Sequence, residues 1–282
     1  MKIEIVLDAK ATLGEGPIWD AKTQTLYWLD ILGKRIYANA GLLVELDDFI
    51  GCIAPRKNGN LLLGKRFSFV DLNLDSLQET VLASVSEPTQ NRFNDGKCDP
   101  AGRFLAGTMD MNEKDASGAL YSFDGKVTRL LDGIRISNGL AWSVDHKTFY
   151  YIDTPTREVK AFDYDVASGQ IANPRAVIHV SESLGWPDGM TSDMDGNLWI
   201  AMWGGAQITK WNPNTGALLE QIPVPAPHTS SCVFGGKDMN ELYVTSARVG
   251  MSEADIKKYP LSGGLFKLTT NIQGMPTFEF NS

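Results

Sequence analysis

Asp193-Met194-Asp195-Gly196-Asn197 followed by Leu198-Trp199-Ile200-Ala201-Met202-Trp203 is the stretch whose reading decides the fold. A cluster of Asp, Gly and Asn makes a tight turn, because these residues tolerate positive φ. The six apolar residues after it, rich in aromatic and branched side chains, are the length of a β-strand. They form the longest apolar run in the chain, where a membrane helix needs roughly 20 residues.

The same unit recurs outward from this point. Turn-rich segments precede Leu26-Tyr27-Trp28-Leu29-Asp30, Leu61-Leu62-Leu63-Gly64-Lys65, Phe104-Leu105-Ala106-Gly107-Thr108, Phe149-Tyr150-Tyr151-Ile152-Asp153 and Leu242-Tyr243-Val244-Thr245-Ser246. Successive stretches begin 35, 43, 45, 49 and 44 residues apart. Helix signals are nearly absent; the exception is a capping box at Ser252-Glu253-Ala254-Asp255, which Pro260 stops. A strand unit repeating at about 40–50 residues is the mark of a propeller blade. Six units in 282 residues predict an all-β, six-bladed β-propeller occupying residues 1–282 as a single domain. A pair of β-sandwiches would show shorter and less regular turn spacing.

Composition narrows the function. Lys and Arg number 26 against 34 Asp and Glu, a net charge of −8 without a basic block. Nucleic acid and anionic membranes are therefore poor partners. The N-terminus lacks the apolar centre of a signal peptide, and the three cysteines, Cys52, Cys98 and Cys232, are an odd number without metal-finger spacing. A cytoplasmic, reducing setting is the expectation. Only three histidines are present, which disfavours a His-rich zinc site or a His-based nucleophilic machine.

A propeller brings equivalent positions of its blades together around a central channel. Glu15, Asn94, Asn138 and Asp188 lie 11, 10, 11 and 10 residues before their apolar stretches, each with Gly one or two residues later. The other two units carry Gly51, and Ser231 or Cys232, at the equivalent place. Four oxygen-bearing side chains from four blades are thus expected at one mouth of the channel. Two carboxylates and two amides suit a hard divalent cation such as Ca²⁺, Mg²⁺ or Mn²⁺, and so few protein ligands leave room for water and substrate. The alternative is that Asn-Gly and Asp-Gly are turn dipeptides only.

Other motifs are decoys. Gly59 to Arg66 approximates a phosphate loop, but Arg66 stands where a Mg²⁺-binding hydroxyl belongs and no helix pattern follows. Asp193 to Asn197 lacks the distal Glu of a calcium loop. Ser231-Cys232 has no histidine paired with it, and a channel-wall role is expected. Most of the seven Trp residues read as core, with Trp186 and Trp203 as candidates for the pocket wall.

Taken together, Leu13-Gly14-Glu15-Gly16-Pro17, Asn91-Arg92-Phe93-Asn94-Asp95-Gly96-Lys97, Ser137-Asn138-Gly139-Leu140, Pro187-Asp188-Gly189 and Ser231-Cys232-Val233-Phe234-Gly235-Gly236 resemble the senescence marker protein/gluconolactonase/luciferin-regenerating family, in order and along the whole chain. The resemblance implies one divalent cation held by Glu15, Asn138 and Asp188, with Ca²⁺ first and Zn²⁺, Mn²⁺, Mg²⁺ or Fe²⁺ as alternatives. It implies Arg92 and Asn94 as substrate-binding residues. The implied activity is hydrolysis of a sugar lactone to its aldonic acid, with either Asp188 or a hydroxide at the cation as the base. A related metal-dependent esterase or organophosphate hydrolase, and a non-catalytic calcium-binding propeller, are the competing expectations. The loop Asp110 to Ser117 departs from the pattern of the family's regucalcin branch, which leaves the sugar open and Glu113 and Lys114 without a role.

Overall fold

In the computed structural model, residues 3–281 are described, and they build six four-stranded antiparallel sheets. The first strands of the six blades are Gly14–Asp20, Ile50–Pro55, Asn91–Cys98, Ser137–Trp142, Trp186–Ser192 and Thr229–Gly235. Each packs against the first strand of the blade before and the blade after, and the last returns to the first. A closed ring of inner strands follows, which is the expected six-bladed propeller. Five blades are consecutive in sequence, while the sixth takes its outermost strand from Ile3–Leu7, paired antiparallel with Leu265–Thr269. Joining the two ends of the chain in one sheet locks the ring shut.

The apolar stretches are second strands, sandwiched between blades. Successive side chains on a strand point to opposite faces, so each strand feeds two interfaces. Leu61 and Leu63 enter the cluster shared with the first blade, whereas Leu62 enters the one shared with the third. Leu198 and Ile200 face the fourth blade, and Trp199 and Ala201 face the sixth. Both faces are buried, so these strands read as continuous apolar runs rather than alternating ones. The core is a wheel of six interblade clusters among the described residues.

Every turn before a second strand contains a left-handed residue: Gln24, Gly59, Gly102, His146, Gly196 and Met239, with φ of 54°, 90°, 82°, 58°, 81° and 54°, and the sixth turn adds Gly236 at 78°. Three of the six use Gly, the low-cost choice; the other three accept some strain. Gly59 accordingly belongs to a hairpin rather than a phosphate loop, and Lys65 beyond it pairs with Asp47 and Glu79. Asp193 is buried and accepts bonds from the Asn197 backbone N–H at 2.8 Å and Trp199 Nε1 at 2.9 Å, a structural carboxylate and no calcium loop. The single α-helix among the described residues, Glu253–Lys258, opens on the expected capping box at Ser252. No helix among the described residues is long and apolar enough to cross a membrane.

The C-terminal segment crosses the ends of the inner strands. Met275 donates its N–H to Ser192 O at 3.0 Å, Phe280 to Pro55 O at 2.8 Å, and Asn281 to Gly102 O at 3.0 Å. Phe280 is buried and stacks on Phe123, with ring centroids 5.4 Å apart. Behind this strap a void of about 30 Å³ remains between Lys97, Trp142, Thr191 and Phe278.

Candidate functional site

The inner strands share an irregularity. Register slips by one residue between Glu15 and Ile18, Ile50 and Cys52, Phe93 and Gly96, Asn138 and Leu140, Pro187 and Met190, and Thr229 and Ser231. A bulge bends its strand and re-aims the side chain at that point. Six bulges at one level therefore make a ring of positions turned toward the channel. In the sixth blade the slip falls between Thr229 and Ser231; Ser231 pairs with Thr245 on the second strand, as Glu15 pairs with Leu29 and Asn138 with Ile152, so Ser231 holds the equivalent place. Cys232 lies farther along, buried, its thiol pushed up to about 12 by burial. Such a group is no nucleophile. Cys52 and Cys98 are likewise free and buried.

The glycines in these segments lie on strands, so the turn-dipeptide alternative fails. Their role is close approach. A Cβ on Gly51 would meet Phe93 O at 2.2 Å, and one on Gly189 would meet Ser231 Oγ at 2.1 Å. The neighbouring inner strand occupies the space that a side chain would need.

Glu15, Arg92, Asn94, Asn138 and Asp188 all line one cavity of about 500 Å³, and all five are buried. Arg92 Nη1 donates to Asn94 Oδ1 at 2.6 Å and to Phe93 O at 2.9 Å. Asn94 Nδ2 donates in turn to Ser137 O at 2.8 Å and to Asn138 Oδ1 at 3.1 Å. The third and fourth blades are tied together by this chain of bonds.

Thr154 was not singled out by sequence. Its hydroxyl donates to Pro187 O at 2.8 Å and accepts from Asn138 Nδ2 at 2.8 Å. A hydroxyl has one proton; having given it to the carbonyl, Thr154 must accept from the amide nitrogen. That fixes Asn138 Oδ1 on the cavity side. The only signal was position, since Thr154 directly follows the second strand of its own blade. Asp95 and Lys97 were also missed as a pair. Asp95 is buried and Lys97 half-buried, with Lys97 Nζ donating to Met190 O at 2.8 Å.

Charge is crowded here. Burial first, then Asp95, holds the Glu15 carboxyl well above the usual carboxylate range; its Gly16 N–H contact at 2.8 Å works the other way. Burial, then Glu15, raises Asp188. Burial also lowers Arg92 to about 10 against the pull of Glu15. Two buried carboxylates beside a single guanidinium favour a further positive charge between them.

The loop after Phe104–Asp110 forms one wall. Asp110 accepts backbone N–H bonds from Asn112, Lys114 and Asp115 at 3.0, 3.1 and 3.1 Å, which shape the loop and hold the carboxyl below its ordinary range. Glu113 on this loop lines the cavity, as do Met109, Met111 and Arg135. Trp186 and Trp203 line it too, as the sequence suggested, while Trp28 and Trp199 are wholly buried in the core.

A sequence profile described as the SMP-30/Gluconolactonase/LRE-like region matches residues 13–248. The chain belongs to that family. Regucalcin of Danio rerio is 40% identical over 292 residues, covering 99% of this chain and 98% of the relative. A luciferin-regenerating enzyme superimposes with a TM-score of 0.92 at 32% identity, covering 100% of this chain and 99% of that one. A calcium-binding protein, regucalcin, from Agrobacterium tumefaciens strain C58 gives 0.94 at 26% identity, covering 99% and 97%. The family's match thus extends across the blades that carry Glu15, Arg92, Asn94, Asn138 and Asp188.

Proposed function

We propose that the protein hydrolyses a sugar lactone to its aldonic acid with the help of one divalent cation. The observation that carries this reading is the convergence of two carboxylates and two amides from four blades, beside Arg92, in one cavity. Membership of a family whose description includes gluconolactonase supports it.

The donor set fits a hard cation, because every ligand atom on offer is oxygen. Glu15, Asn138 and Asp188 would hold the ion, Ca²⁺ first, as the calcium-binding description of the Agrobacterium relative suggests. When bound, it supplies Lewis-acid polarisation of the lactone carbonyl. The chain's own residues do the rest. Arg92 has one Nη1 engaged by Asn94 and Phe93, and its remaining N–H donors serve substrate hydroxyls. Asn94, held by Arg92 and Ser137, sets the other side of the sugar. Asp188 takes a proton from the attacking water. As the ring C–O ester bond breaks, that proton passes to the leaving oxygen, and the new carboxylic acid ionises, so the products are one carboxylate, one hydroxyl and one released proton.

A pH-stat assay of several aldonolactones, after chelation and re-addition of single divalent ions, tests this. Acid release should vanish on chelation and return with a particular ion. A dominant rate on phosphotriesters in parallel would move the assignment to an organophosphate hydrolase. Tight cation binding without hydrolysis of any lactone would favour a binding protein.

A further inference from the structure

Trp186 and Trp203 face each other as register partners on adjacent strands, and both line the cavity. Trp186 is 41% exposed, whereas Trp28 and Trp199 are fully buried. An indole left half in water forgoes much of its burial free energy, and at a cavity mouth it offers a flat apolar surface to a ligand.

Both rings are braced from behind. The Arg157 guanidinium lies 3.5 Å from the centre of the Trp186 ring, and its Nη1 donates to Gly185 O at 2.8 Å. The His228 imidazole stacks on Trp203 at 4.2 Å with planes 10° apart. Aromatic groups fixed in this way stack on a ligand without an ordering cost at binding. The rest of the lining is mixed: Glu113 and Arg135 add charged groups beside apolar Leu32, Met111 and Val249.

The space available points the same way. A cavity of about 500 Å³ is of the size that takes drug-sized ligands. That volume exceeds what a single hexose lactone fills, so room for a second ring is available in the same cavity. The axial C–H groups of a pyranose carry slight positive charge and suit the electron-rich face of an indole, while its hydroxyls suit Glu113 and Arg135.

We propose that Trp186 and Trp203 form a stacking subsite for a second, glycosidically linked sugar ring, so that lactones of disaccharide acids are preferred over those of single sugars. The inference rests on the lactonase reading for the reacting ring only. The test compares kcat/KM for the lactone of a β-1,4-linked glucose disaccharide acid with that for glucono-lactone. The wild-type ratio should be about five or more, carried mainly by KM, the fold expected of one aromatic stack. Trp186→Ala should bring the ratio toward unity, and Trp186→Phe should restore part of it. A wild-type ratio of one or below, or a ratio that Trp186→Ala leaves unmoved, overturns the subsite. Quenching of tryptophan fluorescence by the disaccharide acid itself separates the two readings. If no lactone is hydrolysed but quenching occurs and is lost in Trp186→Ala, the lactonase reading fails and the subsite stands; absence of quenching overturns the subsite.

Discussion

Blades one, three, four and five put Glu15, Asn94, Asn138 and Asp188 on their inner-strand bulges, while blades two and six put Gly51 and Ser231 at the same level. The backbone irregularity is common to all six; the chemistry is not. The ring of bulges is therefore a property of the fold, and the site is a choice of side chains upon it. Where a ligand is missing, packing takes over: Gly51 lets the third blade's strand approach, and Ser230 donates a bond to Gly14 O at 2.5 Å that ties the sixth blade to the first.

The sharpest way to break this contrast is at Asp188. Asp188→Asn keeps the shape of the side chain and removes its basicity. Turnover of the preferred lactone should fall by about 10²–10⁴-fold, the range for loss of a general base. Cation affinity, measured by calorimetry, should fall less. A variant that kept near-parental rates with its cation bound would remove Asp188 from the base role.

A smaller effect is expected at Thr154, which touches Asn138 but does not line up with the four bulge residues. Thr154→Val keeps the volume and removes the acceptor for Asn138 Nδ2. Cation affinity should drop by about 10–100-fold, as for other partners that orient a ligand. Thr154→Ser should recover most of it, and an unchanged affinity in the valine variant would show that the amide needs no such support.

The least functional but most structural effect belongs to blade two. Gly51→Ala drives a Cβ into the Phe93 backbone. Thermal unfolding should show a loss of about 1–3 kcal/mol, the usual cost of overpacking, with the cation site retained in the folded fraction. No loss of stability would mean that the inner strands are not packed as tightly as the bulge ring requires.

How much of this was legible in the sequence depends on range. The blades were, because a turn and the strand after it are neighbours in the chain. The Gly-bearing turns announced themselves, whereas Gln24, His146 and Met239 occupy left-handed positions that their residue types do not advertise. Ring closure by Ile3–Leu7 was not readable, since its partner Leu265–Thr269 lies at the other end of the chain. The strap ending at Phe280 was hidden for the same reason. At the site, the matching phase of Glu15, Asn94, Asn138 and Asp188 pointed to one mouth, and all four line the same cavity. Thr154 escaped because it is not at that phase. Asp95 escaped because it sits beside Asn94 in the bulge, and only the backbone decides which of two adjacent side chains reaches the cavity.

The central claim is that oxygen atoms from separate blades meet on one cation, and anomalous diffraction from Mn²⁺-soaked crystals tests it most directly. The account predicts a single strong peak in the channel, about 2.0–2.6 Å from carboxylate or amide oxygens of Glu15, Asn138 and Asp188. A peak bound elsewhere, or none at a Mn²⁺ concentration that supports hydrolysis, would contradict it.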